Sequence, residues 1–177
     1  MPDVLPFTFD PAAIAAVQKN LLGGFRSRLA LLAVLPLAFF TGLRARRLDE
    51  RVCTVTVNYR WLNRNPFRST YWAVLGMAAE MAGGALVIQY THGQKPSVAT
   101  LVTAVTGKFL KKAVGTTTFS CESGREIAEA VLQSVATGEA REIVCTVRGV
   151  SEDGTPVAEF VFTWSVKVRA PKPGAVA

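Results

Sequence analysis

Glu80 is the residue whose type and surroundings most strongly suggest a chemical role. It is the only charged residue in the 20-residue stretch from Tyr71 to Tyr90. That stretch is too long for a strand and is rich in Ala, Leu and Met, so we expect a buried helix. Its neighbours one helical turn away are all uncharged: Gly76, Met77, Gly83 and Gly84. Nothing on its own helix therefore neutralises the carboxylate.

Two interpretations of this carboxylate follow from residue chemistry. Burial disfavours the charged form, which raises the pKa of a Glu side chain toward the range that suits a general base. Alternatively, Glu80 is structural and bonds to a backbone amide or to an arginine such as Arg60 or Arg68. Both interpretations stay open at this point.

The charge balance favours an anionic partner. The chain has 20 Lys and Arg residues against 13 Asp and Glu residues, a net charge of +7. Nucleic acid, a membrane surface and phosphate-bearing small molecules would all be attracted. The three tryptophans, Trp61, Trp72 and Trp164, lie in apolar periodic segments rather than among clustered basic residues, so we expect no nucleic acid binding.

The cysteines and the single histidine do not indicate a metal centre. Cys53, Cys121 and Cys145 are isolated in strand-like segments, which predicts neither a disulfide framework nor a metal site and favours a reducing compartment. A lone His92 excludes multi-histidine metal sites. Because it follows the end of the predicted helix, we expect a C-terminal cap rather than a catalyst.

Two apolar runs raise the question of a membrane span. The first, from Leu29 to Leu43, is short of the ~20 residues that a span needs and contains Pro36. The second is the central helix, which carries Glu80 near its middle. No short basic start leads directly into an apolar run, so a signal peptide is not indicated. We expect a cytoplasmic protein with no stable membrane insertion.

The N-terminal part of the chain predicts helices and then one strand. Asp10 and Pro11 form a helix start, and Gly23-Gly24 separates this helix from a second one, Phe25 to Phe40, that is kinked near Pro36. Residues 1–42 are thus a helical extension. Apolar and polar residues alternate over 52–61, which predicts a half-buried strand. The polar loop 62–69 then leads to the central helix, with Ser69 or Thr70 as its N-cap.

The C-terminal part predicts strands and one amphipathic helix. Residues 98–110 and 114–121 are rich in Thr and Val, and we expect them to form an antiparallel pair. A helix over 122–137 ends at Gly138. Strands over 142–150 and 156–169 are joined by Glu-Asp-Gly, a strong hairpin signal. The Pro- and Gly-rich segment 170–177 is predicted to be a flexible tail.

Together these elements predict an α+β domain over 43–169, in which a long central helix lies against a curved antiparallel sheet of about five to six strands. Such an arrangement resembles the hotdog fold. The segment Asn65-Pro66-Phe67-Arg68-Ser69, then Tyr71-Trp72-Ala73, then Glu80 nine residues after Tyr71, resembles the helix entry of the phenylacetate-pathway-like acyl-CoA thioesterases. The segments 108–113 and 151–154 resemble that family's strand end and final hairpin. Tyr71-Trp72-Ala73 stands where His-Gly-Gly is expected, so the chain is most similar to an uncharacterised branch of the superfamily.

The resemblance implies a role for several residues. The backbone amide of Trp72, at the helix N-terminus, would stabilise the oxyanion of a thioester under attack, beside Tyr71 in the substrate site. Glu80 would activate water or attack directly, facing the neighbouring subunit of a homodimer or of a dimer of dimers. Asn65 would orient the water or the carbonyl, although it is equally well explained as a turn former before Pro66.

Coenzyme A would be bound as part of the substrate, with no other cofactor and no metal. Its phosphates require Lys or Arg at the pocket mouth, and the candidates are Arg64, Arg68, Lys108, Lys111 and Lys112. For each of these residues, ordinary solvated loop charge is the alternative interpretation. Two functions remain: an acyl-CoA thioesterase, and a non-catalytic acyl- or lipid-binding hotdog protein. The replacement of two glycines by Trp72 and Ala73 is expected to narrow the pocket or to close it.

Overall fold

The computed structural model describes residues 7–170 as a sheet wrapped around one long helix. The helices and strands, in chain order, are α1 (Pro11–Leu22), α2 (Gly24–Val34), α3 (Pro36–Thr41), β1 (Arg44–Leu48), β2 (Cys53–Asn58), α4 (Trp72–Thr91), β3 (Val98–Phe109), β4 (Thr116–Cys121), α5 (Gly124–Thr137), β5 (Arg141–Ser151) and β6 (Pro156–Val168). A short 3-10 turn, Trp61–Asn63, precedes α4. The α+β class and the central helix predicted from the sequence are both observed.

Helix α4 forms because most of its surface is enclosed. Most of its 20 residues are buried, and they pack against β2, β4, β5 and α5. Its length and composition would suit a membrane span, but 67% of its most apolar window is buried inside the protein. Polar anchors hold its C-terminal end: the Gln89 Nε2 donates to the Asp49 carbonyl at 2.9 Å, and the Tyr90 hydroxyl donates to the Glu50 carbonyl at 2.7 Å. His92 lies at the C-cap, as expected.

The N-cap of α4 differs from the prediction. Tyr71 occupies this position, and its side chain caps no N–H group. Thr70 lies one residue before the N-cap. Its N–H donates to the Ala113 carbonyl at 2.8 Å, which fixes Thr70 to the segment after β3. Ser69 is held by Asn65 instead. A local sequence pattern favours Ser or Thr as the cap, but these two residues serve the loop.

The six strands form one antiparallel sheet in the order β1-β2-β4-β5-β6-β3. The predicted pairing of β3 with β4 is therefore wrong. Strand β3 pairs with β6, from Val98 opposite Val168 to Phe109 opposite Ala158, and β4 lies between β2 and β5. The connection over 110–115 lacks a two-residue hairpin turn, so it does not fold the chain back on itself. The hairpin between β5 and β6 is observed, with Gly154 at φ +78°.

Strand β1 was not predicted. Three of its five residues are arginines, a composition with low strand propensity. It forms because it lies at the edge of the sheet, paired with β2 alone, where long charged side chains extend into solvent and discourage edge-to-edge association.

The helical extension comprises three helices rather than two. The Asp10 carboxylate caps α1 by accepting from the Ala12 N–H at 2.8 Å, as predicted. The predicted kink is a break at Leu35, because a residue that precedes proline is disfavoured in helical conformation. At the other end, α5 ends with Gly138 at φ +76°, as predicted. The predicted tail lies outside the described residues except for Ala170.

The three cysteines are free thiols in the core beneath α4. A hydrogen bond from the Cys145 thiol lowers the pKa of Cys121 to about 7, whereas desolvation raises the pKa of Cys53 to about 12. None of these thiols is accessible to solvent. They therefore act as small core residues, and no substrate reaches them.

Candidate active site

The loop that enters α4 is organised by Asn65. Its Oδ1 accepts from the Phe67 N–H at 3.0 Å and from the Ser69 N–H at 3.2 Å, and its Nδ2 donates to the Ser69 hydroxyl at 3.1 Å. These bonds are those of a turn former, the alternative interpretation given above. The amide has a second Nδ2 hydrogen that remains available as a donor.

The N-terminus of α4 presents backbone donors. The Tyr71 N–H donates to the Asn63 carbonyl at 2.7 Å, and the Val74 N–H donates to the Tyr71 carbonyl at 3.0 Å. Between them, the N–H groups of Trp72 and Ala73 have no partner in residues 7–170, because Tyr71 provides no side-chain cap. Two uncapped amides with the positive end of the helix dipole favour a carboxylate, a phosphate or an oxyanion.

A cavity of about 360 Å³ opens beside this helix end. Four of the residues predicted from sequence line it, namely Asn65, Trp72, Lys111 and Lys112, and six further residues complete the wall: Ser69, Thr70, Leu75, Phe109, Leu110 and Ala113. The loop and the segment after β3 are held together by the Thr70–Ala113 hydrogen bond and by the Lys112 ammonium, which donates to the Phe67 carbonyl at 3.4 Å. The Trp72 ring is 57% exposed, so it does not close the cavity in the single chain.

Thr70 lines the cavity but is not among the site residues predicted from the sequence. Its side chain is 3% exposed, and its hydroxyl has no hydrogen-bond partner within residues 7–170. A buried hydroxyl without a partner is destabilising unless water or a ligand binds it. The only signal in the sequence is its position immediately before the helix start, where it was considered as a cap.

Glu80 lies on the same face of α4 as Gly84, which packs against the Trp164 ring of β6. A Cβ added to Gly84 would lie 3.0 Å from Glu80 Oε1 and 3.4 Å from the nearest atom of the Trp164 ring. The residue is exposed in the single chain, yet the protein around the carboxyl group is dense enough that desolvation raises its pKa. It forms no ion pair with any residue between 7 and 170, including Arg60 and Arg68.

Glu80 is not part of the cavity at the helix N-terminus. It lies eight positions after Trp72, which places the two about 12 Å apart along the axis at 1.5 Å per residue. One thioester group therefore cannot contact the Trp72 amide and the Glu80 carboxylate of the same chain. The structure brings together the loop, the helix end and the two lysines, but it leaves the carboxylate apart.

The remaining predicted residues do not line the cavity, although each is next in sequence to a residue that does. Tyr71 is partly exposed, with its ring centroid 5.8 Å from that of Trp72. The Arg64 guanidinium lies 5.9 Å from the Trp61 ring centroid. Arg68 is exposed in the turn at φ 57°, and Lys108 is exposed on β3. Their roles in binding substrate stay predictions.

Strand β3 forms a long open edge of the sheet, next to β6. Its 12 residues pair with β6 on one side, and within residues 7–170 no strand covers the other side. Eleven of the 12 are at least partly exposed, among them Leu101, Val105 and Phe109. An unpaired edge of this length with exposed apolar side chains is a surface for strand pairing.

A larger cavity, of about 800 Å³, lies at the opposite end of α4. Tyr90, Ile14 and Leu132 contribute to its wall, together with two acidic and two basic residues: Glu50, Glu129, Arg51 and Arg125. This balance of charge gives no preference for an anionic ligand, and none of the predicted site residues lies there.

Residues 27–166 match the model of a family described as a domain of unknown function, DUF4442. The chain belongs to this family. The match covers the sheet, α4 and the loop that carries Asn65. No curated protein sequence matches the chain significantly.

Solved structures show the same fold. A protein of unknown function from Pseudomonas aeruginosa, described as a probable thioesterase, superposes with a TM-score of 0.71 at 21% identity, over 81% of this chain and 94% of that one. A thioesterase from Haemophilus influenzae has a TM-score of 0.60 at 13% identity, over 82% and 92%. The E. coli PaaI protein from the phenylacetic acid degradation operon has a TM-score of 0.57 at 16% identity, over 85% and 96%.

These similarities establish the fold of the DUF4442 chain. The neighbours are hotdog proteins, several of them named thioesterases, so the hotdog fold and the resemblance inferred from the helix-entry residues are confirmed. At identities of 13–21% the comparison shows the fold and not the reaction.

Proposed function

We propose that this protein is an acyl-CoA thioesterase, which hydrolyses a thioester to a free acid and coenzyme A. The observation that carries the proposal is the pair of uncapped amides, Trp72 and Ala73, at the edge of a cavity lined by two lysines. A thioester carbonyl develops negative charge under attack, and preorganised N–H donors at a helix end stabilise that charge. The unpartnered Thr70 hydroxyl gives the cavity one further polar contact for substrate or water.

Glu80 is the proposed general base. It removes a proton from water as the oxygen attacks the thioester carbon, and the resulting oxyanion accepts from the Trp72 and Ala73 amides. Collapse of the tetrahedral intermediate breaks the C–S bond, and the thiolate takes up a proton. The raised pKa of Glu80 suits this role, because a stronger base accepts the proton more readily at neutral pH.

We propose that the complete site is shared between two copies of the chain in a homodimer. The ~12 Å between Glu80 and Trp72 within one chain requires the carboxylate to act on a thioester held at the other chain's helix end. The exposed Glu80 side chain and the uncovered edge of β3 are available for that contact. Pairing of two β3 edges would also remove an aggregation-prone surface.

Coenzyme A is the proposed leaving group. Lys111 and Lys112 line the cavity, and Arg64, Arg68 and Lys108 are exposed and next in sequence to residues of its wall, so the pyrophosphate and ribose phosphate would meet several cations. The reaction as written requires no metal and no further cofactor. Coenzyme A thioesters occur in the cytoplasm, where we place the protein.

One observation favours an acyl-binding protein without turnover. Tyr71-Trp72-Ala73 replaces the His-Gly-Gly of the related thioesterases, and the exposed Tyr71 and Trp72 rings stand at the pocket mouth. In a dimer these rings would occupy space that glycines leave free, and so obstruct the approach of the thioester to the amides.

Release of free thiol from acyl-CoAs of varied chain length distinguishes the two functions. Turnover by the purified protein, lost when Glu80 is changed to Gln, supports the thioesterase. Saturable binding of fatty acyl groups with no thiol release above the uncatalysed rate would contradict it and favour the acyl-binding function.

A further inference from the structure

The outer surface of the N-terminal helices is apolar. Five large side chains on α2 and α3 point away from the protein: Phe25, Leu29, Val34, Leu37 and Phe40. We call these five residues the α2–α3 face. Phe25 and Val34 are each 75% exposed, and no residue of α2 is buried. Single exposed apolar residues are ordinary on a protein surface, whereas five within two adjoining helices make a candidate binding surface.

The exposed positions of helix α2 are almost all apolar. Ser27, Arg28, Leu31 and Leu32 are half-buried, while Phe25, Leu29 and Val34 extend into solvent. The Arg28 guanidinium lies 5.0 Å from the Phe39 ring centroid, which ties α2 to α3. A helix whose exposed positions are mostly apolar is not arranged for contact with water on its outer side.

The segment that contains this face carries charge of one sign. Residues 11–48 contain no Asp or Glu, and they contain six basic residues: Lys19, Arg26, Arg28, Arg44, Arg46 and Arg47. Of the chain's 20 Lys and Arg residues, 14 therefore remain elsewhere against all 13 acidic residues. Nearly all of the net charge of +7 is carried by this segment.

The position of the face separates it from the proposed dimer contact. Helix α1 packs on β1, at one edge of the sheet, and α2 packs against α1 and α3. Strand β3 lies at the other edge in strand order. Two copies of the α2–α3 face packed against each other would bring two positively charged segments together, in each of which only Arg47 forms an ion pair, with Asp49, within residues 7–170. Like charges oppose that contact.

We infer that the α2–α3 face binds reversibly to the surface of an anionic lipid bilayer. Its Phe, Leu and Val side chains would enter the boundary between headgroups and acyl chains, and the exposed basic side chains of α1 and α2, Lys19 and Arg26, would pair with the headgroup phosphates. Helix α4 stays in the core, so the chain lies on the membrane and does not span it. The inference rests on α2 and α3 and does not depend on the thioesterase reaction.

Flotation of the full-length protein with vesicles tests this inference. One set of vesicles is phosphatidylcholine alone, and the other is phosphatidylcholine mixed with an equal amount of phosphatidylglycerol. We expect partition into the anionic vesicles to exceed partition into the neutral ones by roughly tenfold or more, and to weaken with added salt. Equal or absent partition into both would overturn the inference.

Matched variants separate the α2–α3 face from the rest of the surface. Val34→Ser should reduce partition into the anionic vesicles severalfold, and Val144→Ser should not, although Val144 is also exposed, at 62%. Arg26→Glu should reduce partition by roughly tenfold or more, and Arg125→Glu, on the exposed side of α5, should reduce it far less. Equal effects within either pair would overturn the inference.

The oligomeric state distinguishes a lipid surface from a second copy of the chain. Sedimentation velocity of wild type and Val34→Ser without lipid should give the same mass, and both should have the same melting temperature. A smaller assembly for Val34→Ser would show that the face joins two copies, and would overturn the lipid assignment.

Discussion

Glu80 combines a raised pKa with partial exposure, and each property limits its role. Burial without a partner would destabilise the fold, whereas full exposure would leave an ordinary carboxylate. The surrounding protein desolvates the carboxyl group without enclosing it, and so raises its pKa. The structural interpretation that pairs it with Arg60 or Arg68 has no ion pair to support it within residues 7–170.

Replacing Glu80 with Gln should lower thioester hydrolysis by roughly 10²-fold or more, because the amide cannot accept a proton from water. The melting temperature should hold or rise, since no buried cation loses a partner and desolvation of the carboxylate is relieved. Thiol release and thermal melts measure both effects. Glu122→Gln, at an exposed position, is the control and should change neither. Full activity in the Glu80 variant would remove this residue from the site.

The pH dependence of Glu80 has a definite sign. For hydrolysis, kcat/KM should rise with pH through a midpoint above 4.5, the ordinary Glu value, because the base acts only when deprotonated. For stability, the folded state holds the proton more tightly than the unfolded state, so the free energy of unfolding falls as pH rises from 4.5 through the folded pKa. Denaturant titrations should give wild type and Glu80→Gln similar free energies of unfolding below this pH range. Above it, the variant should have the larger free energy of unfolding. A constant difference at every pH would contradict the raised pKa.

At the scale of elements, the site depends on how the α4 entry loop meets the segment after β3. Lys111 and Lys112 lie more than 40 residues beyond Asn65 in the sequence, and the Thr70–Ala113 hydrogen bond brings the two segments to one cavity. The lysines therefore provide positive charge at the end of a helix that already favours anions.

Reversing both lysines to Glu should weaken acyl-CoA binding by roughly tenfold or more and leave the affinity for a free fatty acid nearly unchanged. The effect should diminish with added salt, because exposed phosphate contacts are screened. Calorimetric titration with both ligands measures this. Lys95→Glu, exposed outside the cavity, serves as the charge control. An equal loss for both ligands would show that the variant is misfolded or that the pocket lies elsewhere.

Local patterns in the sequence were sufficient to predict those helices and strands whose formation depends on their own residues. Helix α4 follows from an apolar composition, and β6 follows from the alternation of Phe160, Phe162 and Trp164 toward the core. The partner of β3 could not be predicted, because pairing with β6 joins residues up to 70 positions apart. Thr70 was missed as a wall residue for the same reason, since the cavity is formed by contacts between distant segments.

At the scale of the whole molecule, the β3 edge that no strand covers within residues 7–170 and the proposed division of the site between Trp72 and Glu80 both favour a second copy. We expect a homodimer, or a dimer of dimers, by light scattering at micromolar concentration. Leu101→Asp combined with Val105→Asp should yield monomers and abolish thiol release, because each chain would lack its partner's Glu80. Val144→Asp, at an exposed position of a central strand, should leave the dimer intact. A strictly monomeric wild type with full activity would contradict the shared site.

The strand order also has a consequence during synthesis. Strand β3 leaves the ribosome before β6. Val98 therefore cannot pair with Val168 until the ribosome has synthesised the residues between them. At about 5–20 residues per second, that wait lasts roughly 4–14 s. During this interval β3 has neither β6 on one side nor another subunit on the other, and its exposed Leu, Val and Phe side chains match the surfaces that nascent-chain chaperones hold. The yield of folded protein should therefore depend on chaperone capacity more strongly than its native stability would suggest.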